Sequence, residues 1–396
     1  MFVLHTPLIL QKGEGWIMKN GKFTSIIIKM HYVPRWNDYA PRYKDNAASH
    51  SFRCAALAIL LGIIEERVFA NKIDKLSLLA RALLHDLNET VTGSIKHITK
   101  KDSVVNKYIQ NLEDEVNHTI VSYLSKSLRP YFQEFIVNAE DDTYLGKLVK
   151  EIDTFDAMLF CHREDISDSS SYFNSQFQLL HDKIQNSELQ SIRWLAQEFD
   201  KQEGTYNFLS YILNLDKVER WSGNFNLVPD NDATHSFRVA AISLFNGFLE
   251  RERFGKNDLD VYRLVCKAIL HDIVEGISGD VGSTIKKSTE DIKRAFEEYE
   301  KEIARTMVNQ LPPFFHKDMG DFMINCKDET YEGEMVDIAD KIDALIKTNL
   351  EMRNNPHYAE TYYEQLTKIQ HQFENPCVIF FLAYILHDLT YVNFVK

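Results

Sequence analysis

Apolar residues recur every three or four positions along most of this chain. That spacing places them on one face of a helix, and it predicts helices over residues 51–69, 76–87, 104–124, 144–160 and 173–201. Few segments alternate strictly between apolar and polar residues, as strands do, and only nine prolines and fifteen glycines interrupt 396 residues. We therefore expect an all-α fold. Residues 1–22 carry several glycines and are predicted to form an irregular N-terminal tail or a small hairpin.

The helical pattern occurs twice. Residues 23–36 align without gaps on residues 208–221. Further matched blocks follow in the same order, namely 49–53 with 234–238, 82–86 with 268–272, and 149–153 with 336–340. The offsets of the four pairs are 185, 185, 186 and 187 residues. Such a repeat indicates a tandem duplication, with one domain over residues 23–205, a second over 206–396, and a junction in the polar stretch near residues 200–205.

A partial third copy lies close to the C-terminus. Residues 381–386 resemble the opening helix of the second repeat, and they are followed by His387-Asp388. No glutamate stands at the spacing seen after the other His-Asp pairs, and few residues remain to supply further ligands. We interpret this segment as a packing helix of the second domain.

Composition and charge narrow the class of protein. A chain with 44% apolar and 26% charged residues is typical of globular proteins. Its formal net charge of −13 disfavours an extended nucleic-acid surface, although it permits a pocket for one nucleotide. The five cysteines form no CxxC pair, which suits reduced thiols. No apolar run approaches the ~20 residues of a membrane span, and residues 1–22 lack the order of a secretory signal. We expect a cytoplasmic protein without a membrane partner.

The candidate chemistry lies in two His-Asp pairs. Each pair offers a metal an imidazole nitrogen and a carboxylate oxygen, and each has one further histidine upstream and one aspartate downstream. The predicted ligands are His50, His85, Asp86 and Asp153 in the first repeat and His235, His271, Asp272 and Asp340 in the second. Two nitrogens and two carboxylates suit Mn, Fe, Co or Zn better than an all-oxygen Mg site. We therefore predict one divalent metal in each repeat.

Two of these ligands also have a structural alternative. Asp153 and Asp340 fall in apolar stretches, where an unpaired carboxylate would be costly. A metal would remove that cost, but so would a buried salt bridge or a helix cap. Glu89 and Glu275 complete the candidate chemistry. Each stands three residues after the aspartate of a His-Asp pair, on the same helical face. Each is placed to orient a metal-bound water or to take its proton.

The combined pattern resembles the HD-domain metal-dependent phosphohydrolases, and within them the bacterial 5'-deoxynucleotidases. An Arg-Trp pair lies fifteen residues before the first ligand histidine in both repeats. The motif HDxxE is followed by Thr-Gly or Ser-Gly and then by a lysine at the same distance. The resemblance covers most of residues 23–396, once in each repeat. It implies two HD-domain helical bundles that form an intramolecular pseudo-dimer, compatible with a monomeric protein.

The resemblance also implies roles for individual residues. In this family the metal is held by the two histidines and two aspartates, and the glutamate acts on the attacking water. The arginine contacts the phosphate and the tryptophan helps to recognise the deoxyribose. The resemblance implies that substrate is bound by Arg35, Trp36, Ser94 and Lys100 in the first repeat and by Arg220, Trp221, Asp280 and Lys286 in the second. The alternative for each Arg-Trp pair is an exposed arginine beside a core aromatic residue.

One position separates the two repeats in this pattern. The family's Thr-Gly-Asp supplies an aspartate to the sugar, which the second repeat keeps as Asp280 and the first replaces with Ser94. The first repeat therefore lacks the family's aspartate for the sugar, and on this ground we expect full activity from the second.

These features predict hydrolysis of nucleoside 5'-monophosphates, especially deoxynucleotides, to nucleoside and phosphate. An alternative is a triphosphohydrolase of deoxynucleoside triphosphates or another nucleotide phosphohydrolase, for which nearby lysines could hold the longer phosphate tail (Lys96, Lys100, Lys101, Lys286 and Lys287). A third hypothesis is a nucleotide-binding regulatory protein in which one HD repeat is inactive.

Overall fold

The computed structural model describes residues 20–95, 99, 102–168, 171–281, 283–286 and 288–391. Within these ranges the chain is almost entirely helical, as the apolar periodicity predicts. The helices of the first repeat are α1 Asn20–Lys29, α2 Ala47–Arg67, α3 Lys75–Leu84, α4 Glu89–Thr92, α5 Ser103–Ser122, α6 Arg129–Phe132, α7 Tyr144–Asp168, α8 Ser171–Gln185 and α9 Gln190–Asp200.

The long helices of the second repeat follow the same order as those of the first, and its described residues form eleven helices. They are α10 Gly204–Asn214, α11 Asp232–Phe254, α12 Val261–Leu270, α13 Glu275–Ser278, α14 Ser283–Lys286, α15 Glu290–Gln310, α16 His316–Met323, α17 Tyr331–Met352, α18 Tyr358–Gln372, α19 Pro376–Phe380 and α20 Leu386–Tyr391. Short 3-10 turns cover Met30–Tyr32, Asn37–Tyr39, Leu215–Lys217 and Pro313–Phe315, and π-helical turns cover Gln133–Val137 and Phe381–Ile385.

A short β-ribbon precedes the central helix of the first repeat. Strand β1 (Pro34–Arg35) pairs antiparallel with β2 (Asp45–Asn46), with Pro34 opposite Asn46. The second repeat keeps one bridge of this ribbon, between Glu219 and Asn231 at the equivalent positions. In both repeats the pairing brings the Arg-Trp loop back to the first turn of the helix that carries the upstream histidine.

The two central helices begin at matching caps. The side chain of Asn46 accepts a hydrogen bond from the backbone N–H of Ser49 at 2.9 Å, and Asn231 does the same for Thr234 at 2.8 Å. An asparagine at this position satisfies one of the free N–H groups of a helix start. The cap therefore fixes the position of the histidine that follows, His50 or His235, in the first turn.

Helix α2 lies at the centre of the molecule. It packs on α3 and α7 of its own repeat and on α11 of the other, while α11 packs in the same way on α12 and α17. Among the described residues α2 is the one helix long and apolar enough to span a bilayer, which corrects the expectation that no apolar run reaches this length. Its apolar window is entirely buried inside the fold, as is typical of a core helix.

The predicted helix over residues 173–201 is wrong as a single element. The chain forms α8 to Gln185 and begins α9 at Gln190, with a turn between them in which the backbone N–H of Ser187 bonds to the carbonyl of Ile184. The two helices pack against each other, and α8 also packs on α7. Apolar periodicity continues across the turn because both helices direct their apolar residues into the same core.

The predicted tail extends too far, because α1 begins at Asn20 and includes Gly21. Residues 1–19 lie outside the described residues. Helix α1 packs against α20 and the π-helical turn before it. A Cβ atom on Gly21 would lie 2.2 Å from the Cβ atom of Asp388 in α20. Glycine is therefore present at this position because two helices approach closely, and the His387-Asp388 segment is in a packing helix, as expected.

Candidate active sites

The predicted ligands of the first repeat meet where three packed helices converge. His50 lies in the first turn of α2, His85 directly follows the last residue of α3, and Asp153 is the tenth residue of α7. Asp86 follows His85 directly, where the chain leaves α3. Residues far apart in sequence are therefore assembled by helix packing.

The donor atoms of this first site are close enough to share one cation. Nε2 of His50 lies 3.3 Å from Nε2 of His85, 3.4 Å from Oδ2 of Asp86 and 3.3 Å from Oδ1 of Asp153. Around a cation with bonds of 2.0–2.2 Å, neighbouring tetrahedral ligands stand about 3.4 Å apart. The four side chains therefore fit a divalent metal of the predicted type.

The second site repeats this arrangement. Nε2 of His235 lies 3.2 Å from Nε2 of His271, and 3.4 Å from both Oδ2 of Asp272 and Oδ1 of Asp340. His235, His271 and Asp340 form one of the groups in the described residues whose donor atoms could hold a metal ion. The donor geometry thus supports a cation site in each repeat.

Both upstream histidines are oriented by a carboxylate that the sequence analysis missed. Nδ1 of His50 lies 2.7 Å from Oδ2 of Asp156, and Nδ1 of His235 lies 2.7 Å from Oδ2 of Asp343. Holding Nδ1 in this way directs Nε2 towards the cation site. The available signal was an aspartate three residues after Asp153 that recurs three residues after Asp340.

A buried arginine holds each of these carboxylates in turn. Arg53 donates from Nε to Asp156 at 2.6 Å and from Nη1 to Asp45 at 3.1 Å. Arg238 makes the equivalent bonds in the second repeat, to Asp343 and Asp230. The charge of Arg53 and the hydrogen bond from His50 keep the pKa of Asp156 below its usual value, although burial alone would raise it. Asp156 therefore stays ionised beside His50.

The histidines of the HD pairs are fixed by backbone carbonyls. Nδ1 of His85 lies 3.0 Å from the carbonyl oxygen of Ala82, and Nδ1 of His271 lies 2.8 Å from that of Ala268. Because a carbonyl only accepts, Nδ1 carries the proton and Nε2 keeps its lone pair. That tautomer is the one a metal ligand at Nε2 requires.

The Arg-Trp pair of the first repeat borders the ligands, as the resemblance implies. Arg35 donates from Nη1 to Asp86 at 2.9 Å, and its Nη2 lies 3.7 Å from Oδ1 of Asp153. Trp36 stacks on Phe160, with ring centroids 5.4 Å apart and planes 6° from parallel. Arg35 is largely buried and ion-paired, which argues against the alternative of an exposed arginine.

Both tryptophans have an unusual backbone. Trp36 and Trp221 each adopt a φ of 60°, in the left-handed region that bulky residues rarely occupy. The same strained conformation at equivalent positions of two diverged repeats indicates that the surrounding structure imposes it. It turns the chain so that the arginine faces the ligands while the tryptophan packs beside them.

The candidate base of the first site has a perturbed carboxyl group. Burial, with the charge of Asp86 adding to it, raises the pKa of Glu89 to about 7. A carboxyl group with a pKa near neutrality can both accept and return a proton under ordinary conditions. Ser94 hydrogen-bonds to Glu89. Lys100, also predicted to bind substrate, lies outside the described residues, as do Lys96, Lys101 and Lys287.

The equivalent groups of the second site have additional charged partners. Arg220 donates from Nη1 both to Asp232 at 2.8 Å and to Asp272 at 3.1 Å. Lys286, predicted to bind substrate, instead lies 3.1 Å from Oε1 of Glu275 and 2.7 Å from Glu300. Asp280 is half-buried beyond Gly279.

Burial, with Asp272 and Asp232 adding to the effect, raises the pKa of Glu275 to about 10. The pKa of this carboxyl group is therefore raised further above its ordinary value than that of Glu89. The two candidate bases stand at equivalent positions, but the charges around them differ.

Asp340 has the salt bridge that the sequence left open as an alternative. Its Oδ2 lies 2.6 Å from Nζ of Lys327, while Oδ1 faces His235. One carboxylate oxygen thus remains directed at the cation site. The first repeat has Glu140 in place of Lys327. Burial, to which the charges of Asp153 and Asp86 add, raises the pKa of Glu140.

Cys54 is a further side chain next to the first site. Its sulfur lies 3.5 Å from Nε2 of His50, and His50, Cys54 and His85 form another group able to surround an ion. Burial raises the pKa of the Cys54 thiol to about 12, which disfavours the thiolate that a metal would need. We regard it as a packing neighbour of His50.

Comparison with known proteins agrees with this architecture. The chain matches the family profile of the YfbR-like 5'-deoxynucleotidases twice, over residues 22–202 and 207–389. A 5'-deoxynucleotidase of Vibrio parahaemolyticus is 22% identical over 176 residues, which are 44% of this chain and 90% of the relative. A 4'-phosphooxetanocin A phosphatase of Priestia megaterium is 27% identical over 132 residues, which are 33% of this chain and 67% of the relative.

Among solved structures, an HD-domain phosphohydrolase of Listeria innocua is similar to one half of the chain. It is 27% identical, with a TM-score of 0.43, and the match covers 48% of this chain and 90% of that protein. The matches to the Vibrio and Priestia proteins cover 44% and 33% of the present chain, but 90% and 67% of those relatives. A chain that contains two copies of one family domain produces such coverage.

The two His…His-Asp…Asp clusters, each in an all-α bundle, define the HD-domain phosphohydrolases, a metal-dependent class of hydrolases. Within that class the chain belongs to the YfbR-like 5'-deoxynucleotidase family, and it contains the family domain twice. The recognition of the family from sequence and the all-α fold are therefore confirmed. The individual ligand and substrate assignments stay predictions.

Proposed function

We propose that this protein hydrolyses deoxynucleoside 5'-monophosphates to nucleoside and inorganic phosphate. The observation that carries the proposal is the set of groups around Nε2 of His50. Three further metal donors lie 3.3–3.4 Å from this atom, and Arg35 and Glu89 border them. A cation, a phosphate-binding guanidinium and a base are the parts that hydrolysis of a phosphomonoester requires.

In this proposal each side chain has one task. Two histidines and two aspartates hold the cation, which when bound lowers the pKa of a water molecule and offsets charge on the phosphoryl group. Arg35 changes partner from Asp86 to the phosphate, because its planar guanidinium can bind two phosphate oxygens. Glu89 orients the attacking water and accepts its proton. The water oxygen bonds to phosphorus as the bond between phosphorus and the nucleoside oxygen breaks, and the departing oxygen takes up a proton to give the nucleoside.

A monophosphate is favoured over a triphosphate by the charges in the described residues. A triphosphate tail needs additional cationic partners, and Lys286 is one of the lysines considered for that role. It is already paired with two carboxylates, Glu275 and Glu300. The relatives described above are named as a 5'-deoxynucleotidase and a 4'-phosphooxetanocin A phosphatase, and both names denote removal of phosphate.

The proposal extends to the arrangement of the chain. We propose one divalent cation in each repeat, with domain limits at residues 23–205 and 206–396. Contacts between α2 and α11 would then take the place of an interface between two identical subunits. Ser49 and Thr234, each one residue before a ligand histidine, have their hydroxyl oxygens 3.1 Å apart across this contact. The two sites therefore stand back to back in one chain.

The decisive experiment offers the protein several substrates with Mn²⁺ or Co²⁺. We expect release of inorganic phosphate from deoxynucleoside monophosphates, and no tripolyphosphate from triphosphates. The double variant Glu89→Gln/Glu275→Gln should lose at least about 100-fold of this activity, whereas Glu188→Gln, an exposed carboxylate in the turn before α9, should lose none. Metal-loaded protein that releases no phosphate from any deoxynucleoside monophosphate would contradict the proposal.

A further inference from the structure

Two of the differences between the sites change a charge close to the ligands. Repeat 1 has Ala47 at the first position of α2, and repeat 2 has Asp232 at the first position of α11. Repeat 1 has Glu140 where repeat 2 has Lys327. Both changes alter charge rather than size alone, and each new charge in repeat 2 contacts a group that the reaction needs.

Asp232 occupies the arginine that is expected to bind phosphate. Its side chain is fully buried and accepts a hydrogen bond from Nη1 of Arg220 at 2.8 Å. In the first site Ala47 offers no such partner, and the Nη1 atom of Arg35 instead lies between Asp86 at 2.9 Å and Glu89 at 3.8 Å. A phosphate entering the second site would have to displace Asp232 and then remain close to its charge. Like charges at this distance weaken binding.

Lys327 acts on the metal ligand in a similar way. Its ammonium group lies 2.6 Å from Oδ2 of Asp340, and 32% of the lysine side chain is exposed. A positive charge on the distal oxygen withdraws electron density from the carboxylate and repels a divalent cation at the near oxygen. Glu140, at the same place in the first site, would attract that cation.

We infer that the two sites have different tasks. The first carries out hydrolysis, whereas the second binds both phosphate and metal more weakly. The reason is that Asp232 competes with phosphate for Arg220, and Lys327 competes with the metal for Asp340. This inference rests on the proposed function. It reverses the expectation, drawn from Asp280, that the second repeat is fully active. A retained contact to the sugar does not free Arg220 from Asp232 or Asp340 from Lys327. The second repeat then serves mainly as the structural half of the molecule.

Metal binding can be measured without activity. In the full chain, His235→Ala leaves only the first site intact and His50→Ala only the second, and Mn²⁺ titration followed by electron paramagnetic resonance gives the affinity of each. We expect the first site to bind Mn²⁺ more tightly on the order of tenfold. Adding Lys327→Glu to His50→Ala should narrow the difference, and adding Glu140→Lys to His235→Ala should do the same from the other side.

The histidine variants could lose their fold, so the same exchanges are also made in the otherwise unaltered chain. There Lys327→Glu should tighten the weaker phase of Mn²⁺ binding, and Glu140→Lys should weaken the tighter phase. Equal affinities of the two sites, or a Lys327→Glu variant with unchanged Mn²⁺ binding, would overturn the inference about the metal.

The contribution of each site to hydrolysis is tested by replacing its candidate base. Glu89→Gln should reduce phosphate release to about one tenth or less, whereas Glu275→Gln should keep more than half of it.

Binding of phosphate at the second site is tested in the Glu89→Gln chain. Adding Asp232→Ala and Lys327→Glu together should make inorganic phosphate inhibit the remaining activity about tenfold more tightly. Equal losses from the two glutamine variants would overturn the inference even if hydrolysis is confirmed. If no substrate is hydrolysed but the two sites still differ in Mn²⁺ affinity, the proposed function fails and the difference between the sites stands.

Discussion

Each upstream histidine depends on a carboxylate that does not face the cation. Asp156 holds Nδ1 of His50 and is itself held by Arg53 through two nitrogens. All three side chains are buried. The direction of Nε2 is therefore set by a fixed chain of charges rather than by the rotamer preference of the histidine alone.

This arrangement predicts the effect of Asp156→Asn. The amide keeps the shape of the carboxylate but loses its charge, so it holds the imidazole less firmly and lowers its basicity. We expect Mn²⁺ affinity at the first site to fall on the order of 10- to 100-fold, measured by calorimetry. Asp343→Asn is the matched variant and should affect only the second site. A full-affinity first site in Asp156→Asn would show that Asp156 has a structural role alone.

The candidate ligands could be recognised in the sequence because they recur at nearly constant offsets. Asp156 could not, because an aspartate three residues past a ligand has no distinguishing feature until packing brings it to His50. The same holds for Asp232 and Lys327, which interrupt the repeat pattern and therefore look like ordinary drift. Only their distances to Arg220 and Asp340 show that they act on the site.

His31 predicts how stability depends on pH. Burial, opposed by Asp230 and assisted by Arg238 and Lys347, lowers its pKa from 6.5 to about 4. Between pH 6.5 and about 4, His31 therefore binds a proton in the unfolded chain but not in the folded chain. The contribution of His31 to the free energy of unfolding is complete above pH 6.5. It is lost as the pH falls from 6.5 to 4, and the loss is about 3 kcal/mol at most.

Replacing His31 with Gln removes this titrating group. Urea unfolding at pH 7, 6 and 5 should show a smaller loss of stability towards pH 5 in His31→Gln than in the unaltered protein. His118→Gln, at an exposed position on α5, is the control and should follow the unaltered protein. Parallel curves for His31→Gln and the unaltered chain would contradict the assignment.

At the scale of elements, the periodicity of apolar residues predicts which helices exist but not where neighbouring helices touch. Residues 173–201 read as one helix although they form α8 and α9. Gly21 reads as a helix breaker although it lies within α1. In both cases the deciding contact is with another element, and local sequence carries no record of it.

The contact at Gly21 can be tested by adding one methyl group. Gly21→Ala would place Cβ against Cβ of Asp388, so α1 and α20 must separate, at a cost of about 1–3 kcal/mol. We expect the melting temperature to fall by a few degrees. Gly320→Ala in α16 meets only an ordinary contact with Ile324 at 3.9 Å. Helix propensity should make that control neutral or slightly stabilising. A Gly21→Ala protein as stable as the control would contradict the close approach.

At the scale of the whole molecule, each repeat supplies a group to the core of the other. Asp216 follows α10 of the second repeat, yet it accepts hydrogen bonds from Arg163 at 2.7 Å and from Arg53 at 3.4 Å. Its side chain is 1% exposed. The equivalent residue of the first repeat is His31, which lies 4.0 Å from Asp230 of the second.

Removing this group should weaken one site from across the junction. Asp216→Ala removes a carboxylate that two buried guanidinium groups share, those of Arg53 and Arg163, and should destabilise the fold by about 3 kcal/mol. Because Arg53 also holds Asp156, Mn²⁺ affinity should fall at the first site and not at the second. Asp200→Ala removes an exposed carboxylate and should cost less than about 1 kcal/mol. Equal effects on both metal sites would show that the loss is general rather than transmitted through Arg53.

The contact between α1 and α20 makes the order of the two repeats cyclic. Helix α10 opens the second repeat and packs against α9 at the end of the first, just as α1 opens the first and packs against α20 at the end of the second. A circularly permuted chain that starts near Glu203 and joins residue 391 to residue 20 would keep every one of these neighbours. The choice of which repeat comes first is therefore a property of the gene and not of the fold.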